Sequence, residues 1–160
     1  MAAGQVEFHT GVPDVQAFAC RLLRKASRAG ATVLCLAPAD RLPALDRALW
    51  TFVERDFVPH LVQAGASPRL LARTPIWLAP SWPAGGRWPE GLPARDVLLD
   101  LGGAWPIDDV GPAALAGTLR LIEVVGQEPE EVERGRALWR QCKAAGLEVV
   151  HHPFAAVREG

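Results

Sequence analysis

ATVLCLA, residues 31–37, is an unbroken apolar run closed in front by Gly30 and behind by Pro38 and Asp40. A strand with one wet face alternates apolar and polar side chains, so a run without alternation suits a strand covered on both faces, as in a parallel sheet. Upstream, residues 6–10 read as a short strand. Pro13 and Asp14 then open a helix that carries Val15, Phe18, Ala19, Leu22, Leu23 and Ala26 at helical spacing until Gly30. Strand, helix and buried strand make a beta-alpha-beta opening.

Downstream, Asp40 is a candidate cap for a second helix carrying Leu42, Leu45, Leu49 and Val53 inward, before Phe57, Val58 and Pro59 mark an extended segment. Residues 75–79 are a strand candidate, and residues 80–93, rich in Pro, Gly and Trp, read as an irregular loop. Residues 97–101 and 119–125 supply two more buried strands. Pro129, with Glu128, Glu130 and Glu131 around it, then starts a helix that Gly146 stops, and residues 147–152 form a last strand before a loose tail over 153–160. Alternating strands and helices predict an α/β fold: one Rossmann-like three-layer domain over 1–160, core 6–152, with a mostly parallel sheet.

A chain of 160 residues fits one core. Its 49% hydrophobic and 22% charged residues exclude global disorder. The formal net charge of −1 disfavours strong direct nucleic-acid binding, which needs a basic field. MAAGQVEFHT lacks the basic start and apolar run of a signal peptide, and no later stretch is long enough to span a bilayer, so a cytoplasmic protein with no membrane contact is expected. Cys20, Cys35 and Cys142 form no close pair and read as small buried side chains.

Catalytic and cofactor motifs are missing. The first strand runs into HTGVPDV, with neither GxGxxG nor GxxxxGKS, so no functional dinucleotide loop and no cofactor are expected. His151 and His152 are adjacent, hence on opposite faces of a strand, and His9 and His60 have no Cys, Asp or Glu at ligand spacing, so no metal site is expected. Asp46 and Glu54 read as a solvated helix face. A nucleotide-binding enzyme whose loop has diverged is the alternative from another class. A single-strand binder stacking bases on the six Trp is a third.

Two segments exceed what a bare core needs. In LDRALWTFVERDFVPH, residues 45–60, Trp50, Phe52 and Phe57 add aromatic bulk beyond the helical stripe, for a packed core or for an interface. In EPEEVERGRALWRQCKAAG, residues 128–146, Gly135, Leu138, Cys142 and Ala145 form an inward stripe. Val132, Arg136, Trp139 and Lys143 share another face, with Arg140 beside it. That face is either solvated or a site where guanidinium groups beside an aromatic floor take a peptide ending in a bulky residue and a free carboxylate.

These segments carry a family resemblance. LDRALWTFVERDFVPH, with AGATVLCLAPAD before it and DVLLDLGG after it, resembles the chi subunit of bacterial DNA polymerase III from residue 6 to about residue 152. The resemblance implies a clamp-loader accessory subunit that is not an enzyme and has no cofactor. Its partners would be the acidic C-terminal tail of single-stranded-DNA-binding protein and the psi subunit or an equivalent clamp-loader segment or helicase. Arg136 matches the family's tail-binding arginine, Trp139 a Tyr or Trp position and Lys143 a basic one. Val132 departs from a position often occupied by Lys, which shifts weight to Arg134 and Arg140. Trp50 and Phe57 match aromatic positions turned toward psi.

Overall fold

The computed structural model describes residues 5–51, 57–81, 94–102 and 120–155. Seven strands, β1 (Gln5–Val12), β2 (Val33–Leu36), β3 (His60–Val62), β4 (Ile76–Ala79), β5 (Val97–Asp100), β6 (Arg120–Gly126) and β7 (Glu148–Pro153), form one sheet in the order β3-β4-β2-β5-β6-β1-β7. Every pairing in it is parallel. Among the described residues the helices are α1 (Val15–Arg28), α2 (Leu42–Thr51), α3 (Pro68–Arg73) and α4 (Pro129–Ala144).

The sheet separates two apolar clusters. On one side Ala19, Cys20 and Leu23 of α1 and Leu42, Leu45 and Leu49 of α2 pack on Val33, Cys35, Ile76, Leu99 and Val124. On the other, Leu71 of α3 and Leu138 and Cys142 of α4 pack on Val6, Phe8, Leu36, Trp77 and Val125. This is the three-layer Rossmann-like α/β arrangement. Because β2, β4 and β5 lie inside the sheet with helices on both faces, all four residues of each are buried, which explains their unbroken apolar sequences.

Local chemistry sets the helix ends. The Asp14 carboxylate accepts from the Ala17 amide at 3.0 Å and caps α1 as its sequence implies. Asp40 does not play that part for α2, since the Arg41 and Leu42 amides both donate to the Pro38 carbonyl, at 2.8 and 3.2 Å. Ser67 caps α3 through Leu70, with Pro68 in the first turn. Neither α3 nor β3 is anticipated from periodicity, for they are only six and three residues long. In α4 the buried stripe is Gly135, Leu138 and Cys142, whereas Ala145, expected with them, is exposed at the C-cap.

Thr10 and Gly11 mark an irregularity. The register of β1 against β6 shifts between His9 and Val12, and Gly11 has φ +68°, a left-handed conformation that a side chain disfavours. At the other end of the chain β7 continues to Pro153, and the Phe154 amide donates to the Thr10 carbonyl at 2.9 Å. The tail is therefore tied down through Phe154, and residues 156–160 lie outside the described ones, as does the stretch 82–93 read as a loop.

Candidate protein-interaction sites

Where α4 crosses the C-terminal half of β1, beside the register shift between β1 and β6, a pocket of about 480 Å³ opens. Of the α4 residues singled out in sequence, Val132, Arg136, Trp139 and Arg140 line it together. Lys143 stands one turn on, its Nζ 5.5 Å from the centre of the Trp139 ring, where a cation is attracted by the π face. Arg134, considered as a substitute for the missing lysine at Val132, lines a separate groove with Asp40, Arg41 and Glu131 instead.

The rest of the pocket comes from strands. Phe8, Thr10 and Gly11 of β1, Val125 of β6 and His151 of β7 complete the lining, together with Gly135 of α4. Trp139 is half-buried and meets Phe8 edge-on, with centroids 5.2 Å apart, and His151 edge-on at 5.7 Å. Thr10 Oγ1 and His151 Nε2 are hydrogen-bonded at 2.6 Å, which fixes the imidazole as a polar wall. Gly135 lets the helix sit close: a Cβ there would stand 2.8 Å from Cγ2 of Val125. Phe8, Thr10 and Gly11 are more than 100 positions from α4 along the chain, while Val125 and His151 lie on the strands that flank it, and no spacing rule connects the five; only the Gly in HTGVP hinted at irregular backbone.

The electrostatics are one-sided. Arg136 and Arg140 are exposed at the rim, and neither has a hydrogen bond or ion pair among the described residues. No carboxylate lines the pocket among the described residues. Apolar and aromatic walls below two unengaged guanidinium groups can take a bulky side chain and an anionic group together, the first by desolvation and the second by forked hydrogen bonds.

The second segment lies at the far edge of the sheet. Trp50, at the end of α2, and Phe57, just before β3, are 53% and 68% exposed, with ring centroids 5.4 Å apart. The packed-core reading of these two rings is therefore excluded, and Phe52 lies outside the described residues. Trp50 also tilts against His60 at 4.7 Å. His60 is buried, with Nδ1 2.7 Å from the Val58 carbonyl oxygen and Nε2 2.9 Å from Asp46 Oδ1. Asp46 thus anchors the FVPH turn and is not simply a solvated residue.

The three thiols are buried and free. Burial pushes Cys142 up to about 12 and Cys35 higher still, so both remain protonated and unreactive.

Fold and surface define a Rossmann-like α/β protein with an aromatic, cationic pocket near one edge of its sheet and an exposed aromatic pair at the other. A family model described as DNA polymerase III chi subunit, HolC, matches residues 4–150, and the chain belongs to that family. It is a replication accessory subunit of the DNA polymerase III complex. No curated protein matches the chain.

Proposed function

We propose that the chain is a non-catalytic adaptor, one chi-like domain that binds the C-terminal tail of single-stranded-DNA-binding protein and links it to the clamp loader. The observation that carries this reading is the pocket between α4 and β1, where Arg136 and Arg140 stand unengaged above Phe8 and Trp139. In this reading the tail's terminal carboxylate meets Arg136, its last bulky side chain enters against Trp139, and its acidic residues lie toward Arg140 and Lys143. Val132 contributes apolar wall where relatives often have a cation, so affinity rests more on Arg140. Such a contact is weak and salt-sensitive, and it works by raising local concentration while allowing exchange.

Trp50 and Phe57 are the proposed surface for psi or an equivalent clamp-loader segment. An exposed aromatic pair resting on the buried His60 ring, which Asp46 holds by a hydrogen bond, is the kind of rigid anchor that dominates interfaces.

Calorimetric titration with a peptide copying the C-terminal tail of the cognate single-stranded-DNA-binding protein tests the assignment, beside a copy lacking the last two residues. Only the complete peptide is expected to bind, and Arg136→Ala is expected to cost about 1.5–3 kcal/mol of that affinity, the range for a hydrogen bond to a charged group. Equal binding of both peptides, or unchanged affinity in R136A, contradicts it.

A further inference from the structure

Glu7, His9 and His152 meet on the face of the sheet opposite the pocket. Glu7 and His9 are two apart on β1 and point the same way, and His152 stands directly opposite His9 in the β1–β7 ladder. The two imidazoles stack, with centroids 4.9 Å and planes 22° apart. One ligand atom from each of the three residues lies within 4.8 Å of the other two. His9 Nε2 is buried yet has no hydrogen-bond partner, an uncommon state for a buried polar atom. The acidic neighbour that His9 was read as lacking is Glu7, two residues away on the same face of the strand.

Arg120 grips the Glu7 carboxylate with two hydrogen bonds, Nε to Oε2 at 2.7 Å and Nη2 to Oε1 at 2.9 Å. Each carboxylate oxygen has two lone pairs, so Oε1, 3.6 Å from His152 Nε2, keeps one for another partner.

We propose that Glu7, His9 and His152 bind a divalent transition ion of the zinc class, which fastens the edge strand β7 to β1. Two imidazoles and one carboxylate are the donors that zinc and its neighbours prefer, whereas magnesium and calcium take oxygen ligands. Bonds of about 2.0–2.1 Å in a tetrahedral site put donor atoms about 3.4 Å apart, so a cluster whose donors lie within 4.8 Å of one another must close by up to about 1.4 Å. His152, whose side chain is 47% exposed, is free to rotate inward. Arg120 becomes the outer donor that orients the carboxylate, as hydrogen-bond partners of metal ligands commonly do. Phe18, with its ring centroid 5.3 Å from that of His9, walls the cluster from the α1 side. Among the described residues β7 has a strand neighbour on one side only, so an ion shared with β1 adds a second hold on it.

The untagged whole chain is titrated with zinc by calorimetry and with cobalt(II) as an optical probe, and its Tm is measured with and without zinc. His152→Ala and His9→Gln are measured in parallel, with circular dichroism confirming that each is folded. The expected result is one ion per chain, a Tm raised by zinc in the parent protein, and at least about tenfold weaker binding with no zinc-dependent Tm shift in H152A. Absence of binding by the parent, or an affinity and Tm shift retained in H152A, overturns the site. The exposed position of His152 makes that variant decisive even if H9Q fails to fold.

Discussion

Two glutamates in neighbouring strands show how much a side chain's surroundings change its chemistry. Glu123 on β6 is buried and in register with buried Asp100 on β5. Burial first, then the charge of Asp100 and the hydrogen bond with it, hold the Glu123 carboxyl well above its ordinary value of 4.5. The folded chain therefore keeps a proton that the unfolded chain releases, and the stability this contributes is complete below 4.5 and declines as pH rises toward the folded value. Glu123→Gln is expected to flatten that decline and to stabilise the domain at neutral pH. Denaturant midpoints at a series of pH values check it, and an unchanged slope contradicts the account. Glu7 behaves oppositely: the Arg120 hydrogen bonds hold its carboxyl below 4.5, so its contribution is present above that pH and is lost on acidification. Arg120→Ala is expected to diminish the acid-side loss of stability, measured in the same series. Neither environment is readable from a glutamate's position in the sequence, because each depends on a neighbour in another strand.

At the scale of elements, β4 owes its place to one residue. Trp77 is fully buried, its Nε1 donates to the Leu71 carbonyl at 2.8 Å, and the Arg95 guanidinium lies 3.7 Å above its ring. Arg95 in turn donates to the carbonyls of Thr74 and Pro75, at 3.1 and 2.9 Å, and burial lowers it to about 10. One ring thus joins α3, the start of β4 and the approach to β5. Trp77→Ala is expected to cost about 3–5 kcal/mol, the range for an aromatic cavity, with Trp77→Phe losing much less. A denaturant midpoint for W77A close to that of the parent contradicts this. The strand itself was legible from its apolar residues, but α3 beneath it was not, since a helix of six residues has too few turns to show a period. The long helices α1 and α4 were legible in their bounds and in the buried stripe except for Ala145, because each is 14 or more residues long and punctuated by Asp14, Pro129 or Gly146.

On the scale of the molecule, the two candidate surfaces stand at opposite edges of the sheet. β3, beside Trp50 and Phe57, begins the strand order, and β1 and β7, which floor the α4 pocket, end it. At about 4.8 Å per strand, five or six spacings separate them by roughly 25–30 Å. The proposed adaptor role then allows two partners to be held at once, as a tether requires. Trp50→Ala and Phe57→Ala are expected to leave tail-peptide affinity within about 0.5 kcal/mol of the parent, because distant sites without shared partners act additively. Titration of the tail peptide into the double variant measures this, and a larger loss would mean that the two surfaces are coupled.

Hydrophobic period, helix punctuation and the LW and FVPH markers are local properties of the chain, so the α/β class, the buried central strands, the two long helices and the family are legible without the fold. The sequence also places Val132, Arg136, Trp139 and Lys143 on one helix face, with Arg140 beside it, since residues three and four apart share a side. What stands opposite them follows from the packing of the strands. The parallel register brings His151 beside Thr10 in the pocket and His152 beside His9 on the other face, by pairing strands about 140 residues apart. Such pairings follow from sheet order and register, which no short window of sequence contains.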